Sequence, residues 1–158
     1  MSKSTPAQES RAAGTREQLI EHLNQDLSRE YQAIIAYVVY SQVLKGPQYM
    51  TIAKELEKHA GQELQHALKI SKHIDYLGGM PNGTPKPIVL SEKAEKMLRA
   101  DLDNENETVR QYRNRVRECE ALGEYGIAED IREILRQEQE HQIDLAMALG
   151  EDVPDVAR

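Results

Sequence analysis

The chain has 158 residues, enough for one domain with a substantial core, and carries a formal net charge of −7 with 30% charged residues. This acidic balance argues against nucleic acid or an anionic membrane as the main partner. A single cysteine, Cys119, excludes a disulfide framework and a zinc site built from cysteines. No stretch approaches ~20 apolar residues and no signal-peptide core is evident, so we expect no membrane span and a cytoplasmic location.

The first predicted element is a long helix that follows a polar tail. Residues 1–14 are small and polar, and we expect them to form a mobile tail. Thr15 and Gln18 have the spacing of a helix N-terminal capping box. Core-facing positions then recur at steps of three and four over residues 19–44, which is the spacing of one helix face. Gly46 is expected to end this helix.

A second helix and a long connection follow. Pro47 suits the first turn of a helix, and a second stripe at helical spacing runs from Ile52 to Ile74, before the glycines at 78–79. Residues 80–90 contain three of the six prolines and cannot be helical. If extended, this connection could reach ~40 Å. It could therefore run back along a bundle and place the second and third helices parallel.

Two further helices complete the predicted fold. Ser91 is expected to cap the third helix, whose stripe covers 98–119, and the fourth stripe covers 127–148. The first and third connections are short, so each should join an antiparallel pair of helices. We therefore predict an all-α four-helix bundle over residues 15–150, with a long crossover between helices two and three and a short C-terminal tail, 151–158.

Six polar residues interrupt the apolar stripes near the middle of the helices. The first and third stripes each carry a Glu, and the second and fourth each carry Glu-x-x-His. The Glu residues of each predicted hairpin are separated by 33 residues in both halves of the chain. Because every Glu lies near mid-helix, we predict that the six side chains meet in one layer of the core. They are Glu30, Glu63, His66, Glu105, Glu138 and His141.

Four buried carboxylates need compensating positive charge. Each costs several kcal/mol to desolvate, and like charges repel one another. The six positions include only two imidazoles and the stripes carry no Lys or Arg, whereas two divalent cations would balance four carboxylates. Mixed oxygen and nitrogen ligands with open coordination positions suit two iron ions, with Mn²⁺ or Zn²⁺ as substitutes. This arrangement matches the general pattern of di-iron and di-manganese carboxylate bundles.

The chain resembles the bacterioferritin branch of the ferritin-like superfamily over roughly residues 19–150. The resemblance lies in LSREYQAIIAY, ELQH, DLDNE and ILRQEQEH, and in the crossover segment YLGGMPNGTPKPIVLSEKAEKMLRADL. It implies a ferritin-like bundle in which two irons each have one terminal Glu and one His, with two Glu bridging them. The implied terminal pairs are Glu30 with His66 and Glu105 with His141, and the implied bridges are Glu63 and Glu138.

The resemblance also implies a function and an assembly. It implies a ferroxidase, which oxidises Fe(II) with O₂ or H₂O₂, and iron storage and detoxification as ferric mineral inside a hollow homo-oligomer. Leu64 stands where haem-binding members have a Met ligand, so we expect no haem there. Only EDVPDVAR follows Gly150, where the large cages have a fifth helix. An assembly of roughly 12 subunits is therefore an alternative to one of roughly 24.

Two other functions remain open at this point. A DNA-protecting mini-ferritin would favour a Lys-rich tail, but residues 1–14 contain only Lys3 and Arg11 as basic residues. A non-cage di-metal peroxidase of the rubrerythrin kind usually adds a Cys-rich electron-transfer module, and this chain has one cysteine.

Several residues near the six polar positions have more than one interpretation. The resemblance makes Tyr37 a catalytic tyrosine near the metals, whereas Tyr112 is expected to pack in the core. His59 is expected to be a structural residue, with an extra metal ligand as the alternative. Asp144 either orients a neighbouring imidazole or lies at the surface. The four Arg among residues 110–117 are expected on a solvated or subunit-facing side.

Overall fold

Four long helices make up most of the structure. The computed structural model describes residues 14–156, so the predicted tail, apart from Gly14, and the last two residues lie outside the described part. Between residues 14 and 156 there is no strand, and no helix there is long and apolar enough to cross a membrane. The predicted all-α four-helix bundle is confirmed. The helices are α1 (Arg16–Val43), α2 (Met50–Tyr76), α3 (Ala94–Ala121) and α4 (Tyr125–Ala148).

The predicted cap is correct for the first helix and wrong for the third. The Thr15 hydroxyl accepts a hydrogen bond from the Gln18 amide at 3.1 Å, and Gln18 Oε1 accepts one from the Thr15 amide at 3.0 Å. Ser91 does not cap α3. Its hydroxyl accepts a hydrogen bond from the Lys93 amide at 3.0 Å, which closes a turn before the helix begins at Ala94.

The connection between α1 and α2 is longer than the sequence pattern indicates. Helix α1 ends at Val43, before the glycine that was expected to end it. Gly46 has a φ of 114°, in the region that favours glycine, and Pro47 then begins a single 3₁₀ turn that ends at Tyr49. Pro47 therefore precedes α2, which begins at Met50, and does not lie in its first turn.

The crossover between α2 and α3 lies along α1. Crossover residues with higher numbers contact α1 residues with higher numbers, so the crossover runs in the same direction as α1. Since α1 and α2 form a hairpin, α3 begins at the end of the bundle where α2 begins, and α2 and α3 are parallel. The long crossover predicted from the prolines is confirmed. The contacting pairs are Asn82 with Asn24, Lys86 with Ser28, Pro87 with Gln32 and Val89 with Tyr40.

Two aliphatic clusters fill the described part of the bundle on either side of its middle. On every helix, one cluster lies before the mid-helix Glu and the other lies after it. Burying a large aliphatic side chain contributes about 1.5–3 kcal/mol, so the clusters supply most of the driving force for packing. One contains Leu23, Leu27, Ile70, Ile74, Ile131 and Ile134, and the other contains Tyr40, Leu56, Leu98, Leu102 and Leu145.

A buried ion-pair network joins α1 to α3. Asp26 is fully buried and accepts hydrogen bonds from Arg115 at 2.7 and 3.2 Å, and from Arg29 on its own helix. Arg115 is only 3% exposed. The expectation that the Arg residues of 110–117 lie on a solvated or subunit-facing side is therefore wrong for Arg115. A carboxylate on the neighbouring helix allows this guanidinium to be buried.

We predict that Asp26→Ala lowers the free energy of unfolding by about 3–5 kcal/mol, because the buried Arg29 guanidinium loses its carboxylate partner and the buried Arg115 guanidinium keeps only Glu118. Urea unfolding of chelator-treated protein measures the loss. Glu107→Ala is the control, since Glu107 pairs with Arg110 at the exposed surface of α3. The control should cost less than about 1 kcal/mol. Equal losses in the two variants would contradict a special role for the buried network.

Candidate metal centre

The six polar side chains predicted to meet do lie together in the middle of the bundle. Each is at most 3% exposed, so every one of them is shielded from bulk water. All four helices contribute, with one Glu from α1, one from α3, and a Glu-x-x-His pair from each of α2 and α4. These residues form the central layer: Glu30, Glu63, His66, Glu105, Glu138 and His141.

The central layer contains two overlapping sets of potential metal ligands. In each set, one ligand atom from every member lies within 4.8 Å of the others. Each set has one imidazole and three carboxylates, and two carboxylates belong to both sets. The first set is Glu30, Glu63, His66 and Glu138, and the second is Glu63, Glu105, Glu138 and His141.

The two shared carboxylates each face both imidazoles. Glu63 Oε2 lies 3.0 Å from Nδ1 of His66, and Glu63 Oε1 lies 2.8 Å from Nδ1 of His141. Glu138 repeats this arrangement, with Oε1 3.0 Å from His66 Nδ1 and Oε2 3.1 Å from His141 Nδ1. A carboxylate that directs one oxygen to each side of a site has the geometry needed to bridge two cations.

Two glutamines orient the imidazoles. Nε2 of His66 donates to Gln137 Oε1 at 2.5 Å, and Nε2 of His141 donates to Gln62 Oε1 at 2.7 Å. Because amide oxygens accept these bonds, each Nε2 carries its proton and Nδ1 faces the carboxylates. Sequence interpretation missed both glutamines. The available signal was a Gln directly before the Glu of each Glu-x-x-His pair.

Two tyrosines donate hydrogen bonds to Glu30 and Glu105, the two carboxylates that each belong to only one ligand set. Tyr37 donates a hydrogen bond to Glu105, and Tyr112 donates one to Glu30. Burial, together with the charges of these carboxylates, raises the pKa of both phenols well above the ordinary value, so both remain protonated donors. The expectation that Tyr112 only packs in the core is therefore wrong.

Asp101 is a buried carboxyl beside the centre that sequence interpretation missed. It lies one turn before Glu105, is 3% exposed, and its Oδ2 has no hydrogen-bond partner. Burial and the charge of Glu105 raise its pKa well above the ordinary value. Asp26 occupies the matching place one turn before Glu30, but it is paired with Arg115. The surroundings of the two ligand sets therefore differ.

Two carboxylate oxygens of the central layer lack the hydrogen-bond partners that buried acceptors need, which shows whether metal ions would fit there. Oε2 of Glu30 and Oε2 of Glu105 are buried and lack a hydrogen-bond partner. Leaving such an acceptor unsatisfied costs about 1–3 kcal/mol or more. Each of these residues belongs to one ligand set. Cations at the two sets would satisfy both oxygens, so the six side chains fit a pair of divalent ions.

Three of the four carboxyl groups of the central layer, Glu63, Glu105 and Glu138, have a raised pKa, whereas hydrogen bonds with Glu63 and His66 outweigh burial and lower the pKa of Glu30 to about 2. Burial and the charge of Glu30 raise the pKa of Glu63 to about 7, and burial and the charge of Glu138 raise that of Glu105 to about 8. Burial would lower the pKa of both imidazoles, but hydrogen bonds to the carboxylates outweigh it and raise these values. A cation that binds here must displace protons from the site.

The sequence matches the family model of the Ferritin-like domain over residues 20–152, which is most of the chain. This chain belongs to the ferritin-like family.

Individual relatives of the ferritin-like chain have similar lengths. Bacterioferritin from Brucella melitensis is 29% identical over 141 residues, which cover 85% of this chain and 88% of the relative. Bacterioferritin from Streptomyces coelicolor is 26% identical over 143 residues, which cover 86% of each. A crystal structure of ferritin-like, diiron-carboxylate proteins from Bacillus anthracis has a TM-score of 0.81 at 28% identity, covering 85% of this chain and 96% of that one.

We predict that metal-free protein becomes less stable as the pH rises from about 6 to about 8. A carboxyl whose folded pKa is raised contributes stability that is full below its unfolded pKa and is lost as the pH rises through its folded pKa. For Glu63 and Glu105 the folded values are about 7 and about 8. The slope approaches about 1.4 kcal/mol per pH unit for each proton that the folded state retains.

Urea unfolding of chelator-treated protein across this pH range measures the slope. Glu105→Gln keeps a neutral side chain at all pH values, so it should flatten the slope. Glu140→Gln, at an exposed position on α4, is the control and should leave it unchanged. A wild-type slope in the Glu105→Gln variant would contradict the prediction.

Proposed function

We propose that this chain is a ferroxidase that oxidises Fe(II) and stores the ferric product as mineral inside a hollow homo-oligomer. The observation that carries the proposal is the central layer, where two buried ligand sets share two carboxylates. The names of similar proteins, bacterioferritin and diiron-carboxylate protein, support the same function.

The proposed ligand roles follow from membership of the two sets. The residues found in one set would be terminal ligands, and those found in both would bridge. Two Fe(II) ions bound there would supply two electrons to O₂ or H₂O₂ and become Fe(III). Mn²⁺ or Zn²⁺ would fit the same oxygen and nitrogen ligands. The terminal pairs would be Glu30 with His66 and Glu105 with His141, and the bridges would be Glu63 and Glu138.

Tyr37 is the proposed catalytic tyrosine. Its hydroxyl donates to Glu105, so it fixes the orientation of a terminal carboxylate and holds a proton beside the centre. Its ring centroid lies 5.9 Å from that of His141. At this distance Tyr37 is placed to give one electron to the centre. Tyr112, which donates to Glu30, would position the other terminal carboxylate in the same way.

Exposed apolar side chains on α2 support contact between subunits, and one of them argues against haem binding. Leu64 is 49% exposed, and its side chain has no atom that ligates iron, so we propose that no haem binds at this position. Leu68, one turn further on, is also exposed. Exposed apolar surface of this kind is typical of subunit interfaces and supports a homo-oligomer. Other exposed large apolar side chains include Ile35, Val38, Ile143 and Met147.

We predict that Glu63→Ala combined with Glu138→Ala lowers the initial rate of Fe(II) oxidation by O₂ about 100-fold or more, because both shared carboxylates are removed. The absorbance of the ferric product measures the rate. Glu57→Ala combined with Glu140→Ala is the control, since both residues are exposed on the same two helices. A wild-type rate in the Glu63/Glu138 variant would show that the proposed centre is wrong.

We predict that the full chain forms a closed assembly of roughly 12 or 24 subunits. Native mass spectrometry gives the number of chains, and electron microscopy after iron loading shows whether mineral lies inside the shell. A monomer or dimer under all conditions would overturn the storage function, while oxidation by the central layer would still stand.

A further inference from the structure

We propose that Glu55, His59 and Asp144 form a third divalent-cation site, which holds a cation between solvent and the central layer. Glu55 and His59 lie one turn apart on α2, and Asp144 lies on α4. One potential ligand atom from each residue lies within 4.8 Å of the others. This three-residue group shares no member with the central layer.

His59 is the buried member of the group and has a free nitrogen. It is 1% exposed, and its Nδ1 has no hydrogen-bond partner. Its Nε2 lies 3.0 Å from Asp144 Oδ2, so the ring is directed at the group from within the bundle. A buried imidazole whose Nε2 faces one carboxylate, with a second carboxylate in the same group, has the donor set of a site for Fe²⁺, Mn²⁺ or Zn²⁺. Asp144 therefore contacts His59, and not the imidazole of the central layer.

The carboxylates of the group reach solvent through a pocket. Glu55 and Asp144 are half-buried and line a pocket of about 230 Å³, with Thr51 and Met147 on its walls. A hydrated cation could therefore meet the two carboxylates first and the buried imidazole afterwards. Negative charge at the mouth of a pocket raises the local concentration of cations.

The group adjoins one half of the central layer. The His59 ring stacks on that of His141, with centroids 3.9 Å apart and an angle of 25° between the planes. The corresponding position one turn before the other shared carboxylate, Glu138, is occupied by Ile134, which belongs to an aliphatic cluster. A cation held by the group would therefore lie beside the Glu105–His141 half. A cation at this site could pass on to the central layer, and we call this the entry role. The entry role rests on the proposed ferroxidase function, whereas cation binding by the three residues does not.

A second His–Asp pair on the same two helices provides a matched comparison. Nε2 of His73 on α2 lies 2.7 Å from Asp130 Oδ2 on α4. The residue one turn before His73 is Lys69, which pairs with Glu133 at 3.1 Å. The His73–Asp130 pair therefore has the positively charged side chain of Lys69 where the proposed site has the carboxylate of Glu55. If such His–Asp contacts were only structural, changes to the two pairs would have the same effect on cation binding.

Titration of chelator-treated full chain with Co²⁺, followed by calorimetry and visible absorption, tests the site. Wild type should bind about three ions per chain, whereas Glu55→Gln with Asp144→Asn should bind about two, since amides are weaker ligands for such ions. Both residues are half-buried, so the isosteric changes leave the core intact. The control, His73→Asn with Asp130→Asn, should retain about three ions. Equal stoichiometry in the Glu55/Asp144 variant and wild type would overturn the proposal.

The variant without the shared carboxylates separates this proposal from the proposed function. Glu63→Ala with Glu138→Ala should lose the two central ions but still bind about one. If wild type bound only one ion, and that ion were lost in the Glu55/Asp144 variant, the central site would fail while the third site stood. For the entry role, the Glu55/Asp144 variant should oxidise limiting Fe(II) about tenfold more slowly than wild type. An unchanged rate with the third ion lost would overturn the entry role.

Discussion

The bundle depends on how four carboxylates and two imidazoles are held together in the middle of an apolar core. Desolvating each carboxylate costs several kcal/mol, and the carboxylates repel one another. Phenol hydroxyls and glutamine amides from facing helices fix the orientation of the ligand groups. The aliphatic clusters before and after this layer supply the burial that offsets its cost. Chemical function and packing are therefore separated along the length of each helix.

Spacing within one helix was enough to predict the central layer, because its members occupy the same stripes as the buried aliphatic residues. Contacts between helices could not be read in this way. Gln62 lies beside the stripe, and its partner His141 is on another helix. The roles of Tyr112 and Arg115 depend on the register between α1 and α3, because their partners Glu30 and Asp26 lie on α1. Sequence spacing contains no direct measure of that register.

The two halves of the chain contribute the same kinds of side chain to the central layer, but the residues next to these side chains differ. One turn before the terminal Glu of each half lies an Asp, yet Asp26 is neutralised by guanidinium groups and Asp101 is not. One turn before each shared Glu lies His59 in the first half and Ile134 in the second. Two sets of potential ligands with the same residue types therefore have different electrostatic surroundings.

The crossover's hydrogen bonds to α1 bear on how the protein matures during synthesis. Helices α1 and α2 and the crossover leave the ribosome before α3, so a nascent chain can form these contacts early. Both ligand sets, however, include Glu138 from α4. The first half of the chain can thus fold around its own ligands without completing either set. Neither ligand set can therefore be complete until the last helix has been translated.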